Sequence, residues 1–175
     1  SLSPCQETES DPASVPAAFF VVQHMPPAFL TSFAQRLNNA CELEVHEAEP
    51  GLVVRPGHCY LGRGGHQLVV FQKPSGDIVL RTPAYPETLF MPSVDVMMDS
   101  VFKVYRTDTL GVLMTGIGDD GANAMVQMHQ AGCVTLAESE ETAIVFGMPR
   151  EAIERGGASA AVPSYRMAAE ILRHL

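Results

Sequence analysis

The sequence predicts an α/β fold of three layers, in which a mainly parallel, doubly wound sheet carries a small antiparallel β-hairpin region. An apolar run at 110–115 leads into a Gly-rich acidic turn and then a helical pattern over 121–131. A second apolar run at 18–22 leads into two prolines and a helical pattern over 27–39. Between them, Lys-Pro-Ser-Gly at 73–76 separates two short β-like runs, which is typical of a hairpin.

The remaining elements follow from hydrophobic spacing and from helix-capping residues. The helix over 93–104 is expected to begin with Ser93 as its cap and to carry Asp95 in its first turn. Strands are predicted at 18–22, 44–47, 59–61, 67–71, 77–81, 110–115, 133–136 and 159–162, and helices at 27–39, 93–104, 121–131, 148–155 and 164–173.

Composition excludes several classes of protein and partner. The chain has 175 residues, a formal net charge of -9 and 46% hydrophobic residues. This length and apolar content suit one domain with a real core and exclude a disordered chain. An acidic surface is not attracted to phosphates, so we expect neither nucleic acid nor an anionic membrane as a partner. No run approaches the roughly 18 apolar residues that span a bilayer, so we expect no membrane insertion.

The four cysteines, Cys5, Cys41, Cys59 and Cys133, are widely scattered and form no CxxC pair. This pattern predicts free thiols rather than a zinc site or a disulfide framework. Free thiols are typical of a reducing compartment, and no signal peptide is visible, so we expect a cytoplasmic protein.

Two predicted strands end in residues that can carry chemistry. His24 follows the first strand, and Asp119 and Asp120 lie in the turn after the strand at 110–115. In open α/β sheets, ligands bind at the carboxyl ends of the strands. An imidazole and a carboxylate there supply two members of a Ser/His/Asp triad. The alternative is that His24 is a structural histidine and that the acids form a turn or a helix cap.

Other candidate residues favour structural roles. His46, His58 and His66 are separated by 12 and 8 residues, and this spacing suits no compact metal motif, so we expect surface or structural positions. The Gly-x-Gly at 116–118 lacks the flanking residues of a nucleotide-binding loop.

Four segments in order resemble the catalytic domain of CheB-type chemotaxis protein-glutamate methylesterases. They are VVQHMPPAFLTSFAQRLN at 21–38, MPSVDVMMDSV at 91–101, VLMTGIGDDGANAM at 112–125 and VFGMPREAIERGG at 145–157. The resemblance extends from about Val15 to Leu175.

The resemblance implies catalytic roles for two residues. The family's catalytic histidine lies in the QHMPP segment, which corresponds to His24, and its catalytic aspartate is the second acid of the Asp-Asp-Gly turn, which corresponds to Asp120. It further implies that Thr115, Gly116 and Ile117 line the site and contact the substrate, with their N–H groups as candidate oxyanion donors. Only one carboxylate can face His24, so we expect Asp119 to be the more exposed acid and to act as a turn or cap residue.

The chain departs from the family pattern at the nucleophile. In the family this is the serine of a Gly-Ala-Ser-Thr-Gly-Gly turn after the first strand, and no such motif is present here. Ser3 is a poor substitute because Pro4 follows it and no strand-like run precedes it. We therefore expect residues 1–175 to be a CheB-type catalytic domain without its first strand and nucleophile turn, and without a receiver domain. The motif would lie upstream in the parent protein.

By resemblance, the activity is hydrolysis of glutamyl methyl esters, and deamidation of glutamines, on the cytoplasmic helices of methylated chemoreceptors. The family requires no metal or organic cofactor for this reaction. An upstream receiver domain in the parent protein is a further possible partner. The alternative hypothesis is a catalytically inactive domain of the same family, kept as an interaction or regulatory module of a larger signalling protein.

Overall fold

The computed structural model describes residues 15–175. Ser3 and Cys5 lie outside these residues. The chain divides into two compact units. The first unit ends at Ser93 and also includes Leu175, and the second spans Val94–His174.

The first unit contains a parallel sheet in the order β1-β3-β2. Its elements are β1 (Phe19–Val21), α1 (Pro27–Ala40), β2 (Glu44–Glu47) and β3 (His58–Leu61). The prolines after β1 stop the strand and begin α1, because proline lacks a ladder N–H but fits the first helical turn. Leu30 and Ala34 of α1 pack with Leu61 of β3 in a buried cluster.

The first unit also contains the predicted hairpin. Strands β4 (Val69–Gln72) and β5 (Ile78–Arg81) pair antiparallel, with Val69 opposite Arg81. Gly76 adopts a φ of 95° in the connecting turn, a conformation that favours glycine.

The second unit contains a parallel sheet in the order β6-β7-β8. Its strands are β6 (Leu110–Leu113), β7 (Val134–Glu138) and β8 (Ala160–Val162). Its helices are α2 (Val94–Tyr105), α3 (Ala122–Gln130), α4 (Met148–Glu154) and α5 (Ser164–Arg173). Leu136, Val162 and Met167 form a buried cluster between the sheet and α5.

The prediction of an α/β fold with parallel strands and one antiparallel hairpin is confirmed. The main difference is at the end of β6, which was predicted to reach residue 115 but ends at Leu113. The Thr115 N–H is donated to the Glu138 carboxylate, at 2.8 Å, instead of continuing the ladder with β7. Met114 is 41% exposed.

The cysteine prediction is confirmed in part. Cys59 and Cys133 are buried free thiols, but Cys41 is disulfide-bonded. The prediction was wrong for Cys41 because separation along the chain does not show which thiols the fold brings together. In residues 15–175, no helix is both long and apolar enough to cross a membrane.

Candidate functional site

Asp120 lies in the turn between β6 and α3, and its carboxylate is held by the start of α2. Its Oδ2 accepts the N–H of Val94 at 2.7 Å, and its Oδ1 accepts the N–H of Asp95 at 3.0 Å. The first N–H groups of a helix have no intrahelical acceptor and carry partial positive charge. The carboxylate is therefore fixed in orientation and stabilised as an anion.

Asp95 makes the reciprocal contact with the start of α3. Its Oδ1 accepts the N–H of Ala124 at 2.8 Å. Burial raises the pKa of Asp95, hydrogen bonds from the N–H groups of Ala124 and Gly121 partly offset this, and the negative charge of Asp120 raises it further. Asp120, just before α3, thus caps α2, and Asp95, in α2, caps α3. The sequence located Asp95 in a first turn but did not show that it caps a different helix.

Asp119 has a different environment from its neighbour. Its side chain is 59% exposed and its Oδ2 accepts a hydrogen bond from Arg155 Nη2 at 2.7 Å. The prediction that Asp119 is the more exposed acid is confirmed, since Asp120 is half-buried. Asp119 lies in the turn between β6 and α3, as expected, and its neighbour makes a helix cap. Asp120 caps a helix that precedes it by 25 residues in sequence, a contact that local sequence does not show.

His24 follows the carboxyl end of β1 in the first unit. It is half-buried, and its ring stacks on Phe90 with centroids 4.3 Å apart and planes 14° from parallel. Stacking limits rotation of the imidazole, so the direction of its two nitrogens is restrained.

Gln67 supports the segment that carries Phe90. Its side chain is fully buried, and its Nε2 donates to the Pro86 carbonyl at 2.7 Å and to Thr88 Oγ1 at 2.8 Å. Its Oε1 accepts the N–H of Ser93 at 2.9 Å. One amide therefore fixes three points around Phe90. Local sequence does not reveal this role, because a lone glutamine at the start of a β-like run carries no signal of a distant contact.

The turn residues Thr115, Gly116 and Ile117 differ in what they offer a substrate. The N–H of Thr115 is donated to Glu138, and the N–H of Gly116 is donated to the Val145 carbonyl at 3.1 Å. Two of the three candidate oxyanion donors are therefore engaged within the fold. Ile117 presents a side chain that is 74% exposed.

Glu138 is a second residue whose role local sequence does not reveal. It ends β7, is only 3% exposed, and accepts hydrogen bonds from Thr115 N–H and from Thr142 Oγ1 at 2.9 Å. A buried carboxylate with two donors fixes the loops that it joins. Glu138 thus holds the turn after β6 against the loop after β7.

Glycines permit a close approach between these same loops. A Cβ on Gly147 would lie 2.5 Å from the Gly116 carbonyl oxygen, and a Cβ on Gly116 would lie 2.2 Å from Met148 Sδ. Gly116 and Phe146 form an isolated parallel bridge. Gly147 is therefore required for the close approach of the Gly116 backbone, and Gly116 leaves room for the Met148 side chain.

Both the sequence and the fold are similar to those of known proteins. The sequence profile of the family described as CheB methylesterase matches residues 8–171. A relative from Syntrophomonas wolfei, named protein-glutamate methylesterase/protein-glutamine glutaminase 3, is 53% identical over 162 residues, which cover 93% of this chain and 46% of that protein. A relative from Archaeoglobus fulgidus, named protein-glutamate methylesterase/protein-glutamine glutaminase, is 42% identical over 94% of this chain and 47% of that protein. The chain thus spans less than half the length of these relatives.

A solved structure has the same fold. The crystal structure of the Thermotoga maritima CheB methylesterase catalytic domain matches with a TM-score of 0.89 and 34% sequence identity, over 94% of this chain and 89% of that one. This likeness confirms the predicted three-layer α/β fold class.

Proposed function

The chain belongs to the CheB methylesterase family, and on that premise we propose that this protein hydrolyses glutamyl methyl esters and deamidates glutamines on the cytoplasmic helices of chemoreceptors. The proposal names His24 as the general base and acid, and Asp120 as the carboxylate that orients it. The Syntrophomonas and Archaeoglobus relatives are both named for methylesterase and glutaminase activity. The proposal includes a cytoplasmic location, because the proposed substrate helices are cytoplasmic.

The proposed reaction is acyl transfer through a serine. The serine Oγ attacks the ester carbonyl while His24 takes its proton, and His24 then gives that proton to the departing methanol. Water next attacks the acyl-serine, His24 takes a proton from the water and returns it to the serine, and the glutamate carboxylate is released. With a glutamine substrate, ammonia leaves in place of methanol.

The serine is the one group that this sequence does not supply in the family's motif. The proposal assigns it to a Gly-Ala-Ser-Thr-Gly-Gly turn upstream in the parent protein, where a receiver domain is a further expected element. His24 and Asp120 alone can move and stabilise a proton but have no hydroxyl to activate.

The observation that carries the proposal is the environment of Asp120. A carboxylate that orients a catalytic histidine must stay ionised and must not rotate. The two N–H groups at the start of α2 meet both requirements, because they bind both carboxylate oxygens and add the positive end of a helix dipole.

The proposed substrate-binding turn consists of Thr115, Gly116 and Ile117. The exposed Ile117 side chain is suited to pack on the aliphatic part of a glutamyl ester. Thr115 and Gly116 shape the turn, since their N–H groups already have acceptors in the fold.

The test is methanol release from methylated receptor membranes by the full-length parent protein, with this chain alone assayed beside it. We expect turnover by the parent and none by the chain. Inactivity of both would instead support an inactive interaction module. Turnover by the isolated chain would contradict the proposed nucleophile and point to a residue such as Ser3. A parent carrying His24→Ala should be inactive, whereas His66→Ala, the matched loss of an imidazole elsewhere, should keep activity.

A further inference from the structure

Three side chains on β2 and β3 form a cluster that the proposed reaction does not use. His46 Nε2 lies 3.0 Å from His58 Nδ1, His58 Nδ1 lies 3.1 Å from Glu44 Oε2, and His46 Nε2 lies 3.8 Å from the same Glu44 oxygen. The parallel register explains the meeting, because Glu44 pairs with His58 and His46 pairs with Tyr60. The spacing of 12 residues along the chain gave no sign of it.

We propose that Glu44, His46 and His58 bind a divalent transition-metal ion of the Zn²⁺ class, with water completing the coordination. Zn²⁺ binds imidazole nitrogen and carboxylate oxygen at about 2.0–2.2 Å in a tetrahedron, so its ligand atoms stand about 3.3 Å from one another. The three separations in the cluster fall on both sides of that value.

Hydrogen bonding alone satisfies this cluster poorly. When His46 Nε2 and His58 Nδ1 are both unprotonated, they and the Glu44 oxygen each direct a lone pair toward the other two atoms. A proton on one of the nitrogens makes a good hydrogen bond to only one of the other two atoms. If both nitrogens carried protons, two N–H groups would face each other at 3.0 Å. A cation at the centre of the triangle engages all three lone pairs at once.

The two rings are also oriented in advance. The His46 and His58 rings lie 5.2 Å apart and within 12° of parallel, and both stack on Tyr60. Tyr60 is itself buried, and its hydroxyl donates to the Val53 carbonyl and accepts the N–H of Arg55. An anchored aromatic platform therefore lowers the entropy that the ligands lose on metal binding.

Position and chemistry distinguish this site from the catalytic residues. Glu44 and His58 are the first residues of two parallel strands, whereas His24 follows the carboxyl end of β1 in the same sheet. Cys59 follows His58 in β3 and is buried, so its side chain alternates to the other face of the sheet and does not face the cluster. The expected role is to fasten β2 to β3 rather than to take part in ester hydrolysis.

The test uses this chain without a polyhistidine tag, stripped of metal with a chelator and kept at about pH 7.5, where most imidazole is neutral. Zn²⁺ is titrated in competition with a chromophoric chelator, and Co²⁺ is used as a spectroscopic probe. We expect one equivalent of Zn²⁺ per chain and the intense visible bands of four-coordinate Co²⁺. The melting temperature should rise by about 5 °C or more when free Zn²⁺ reaches about 100 times its Kd.

Variants locate the ion. His46→Ala and His58→Ala should each weaken Zn²⁺ binding by at least about 100-fold and remove the Co²⁺ bands, and Glu44→Gln should weaken binding by about 10-fold. The matched control is His66→Ala, which should bind as the unaltered chain does. Binding that persists in both histidine variants, or that is lost in the control, overturns the proposal, as does the absence of saturable binding to the unaltered chain.

Discussion

At the carboxyl end of β6, the Asp120 carboxylate is bound by backbone N–H groups, whereas at the amino ends of β2 and β3 the Glu44 carboxylate faces two imidazoles. The Asp120 carboxylate thus accepts backbone hydrogen bonds at a helix start, whereas the Glu44 carboxylate is placed where it could bind a cation. The number of backbone donors decides the difference. A carboxylate saturated by a helix start can orient a neighbour, and one without such donors can bind a metal.

The largest expected effect concerns Asp120 and tests the first half of this comparison. In the full-length parent, Asp120→Asn should lower kcat by about 10⁴-fold, because an amide orients the wrong tautomer of a catalytic histidine. Asp119→Asn is the matched control and should retain most of the activity, since the Asp119 carboxylate contacts Arg155 at the surface. Rates of methanol release check both. Similar losses in the two variants would contradict the division of roles.

Replacing the buried Gln67 should lower the free energy of unfolding far more than replacing an exposed glutamine. Gln67→Leu in this chain leaves the Ser93 N–H and the Pro86 carbonyl without this partner, and should lower the free energy of unfolding by about 3 kcal/mol. Gln72→Leu, at an exposed position in β4, should change it by less than about 0.5 kcal/mol. Urea denaturation measures both values. An equal change would show that Gln67 does not hold the segment that carries Phe90.

The Asp120 carboxylate should contribute to the free energy of unfolding, and the Glu44 carboxylate should not. Asp120→Asn removes one acceptor at the start of α2 and should lower the free energy of unfolding by about 1–2 kcal/mol. Glu44→Gln, in metal-free protein, should change it by less than about 0.5 kcal/mol because the Glu44 side chain is 68% exposed. A larger cost at Glu44 than at Asp120 in the same urea series would reverse the comparison.

The smallest expected effect is a pH dependence at Asp95. The folded state raises the pKa of Asp95 above its ordinary 3.8, so this group favours folding when protonated and that contribution is lost as pH rises through the folded-state pKa. Asp95→Asn keeps an acceptor for the Ala124 N–H and removes the titration. The stability of Asp95→Asn relative to the unaltered chain should therefore increase from about pH 3.8 upward and then level off. A difference that is constant or decreases over this range would contradict the assignment.

Local sequence predicted the elements well. Helix α5 was predicted at the residues where it lies, and β2 likewise, because hydrophobic period, prolines and turn glycines act within a few neighbouring residues. The end of β6 was misplaced because a distant acceptor, Glu138, takes the N–H of Thr115. The error therefore arose where a long-range contact overrides local preference.

Resemblance to the family predicted the candidate site residues. It did not predict the residues that hold the surrounding segments in place. His24 and Asp120 lie in recognisable segments. In contrast, Gln67, Asp95 and Glu138 bind backbone groups that lie 19 to 29 positions away. The cluster of Glu44, His46 and His58 was missed for a related reason. Its members meet through strand register, which sequence spacing does not encode.

The central claim is that Asp120 acts through His24, and a double-mutant cycle in the full-length parent tests it most directly. Values of kcat/KM for methanol release are measured for the unaltered protein, His24→Ala, Asp120→Asn and the double variant. The account predicts that Asp120→Asn costs about 10⁴-fold when His24 is present and less than about 10-fold when it is absent, because residues that act as a unit are not additive. An equal cost in both backgrounds would contradict it.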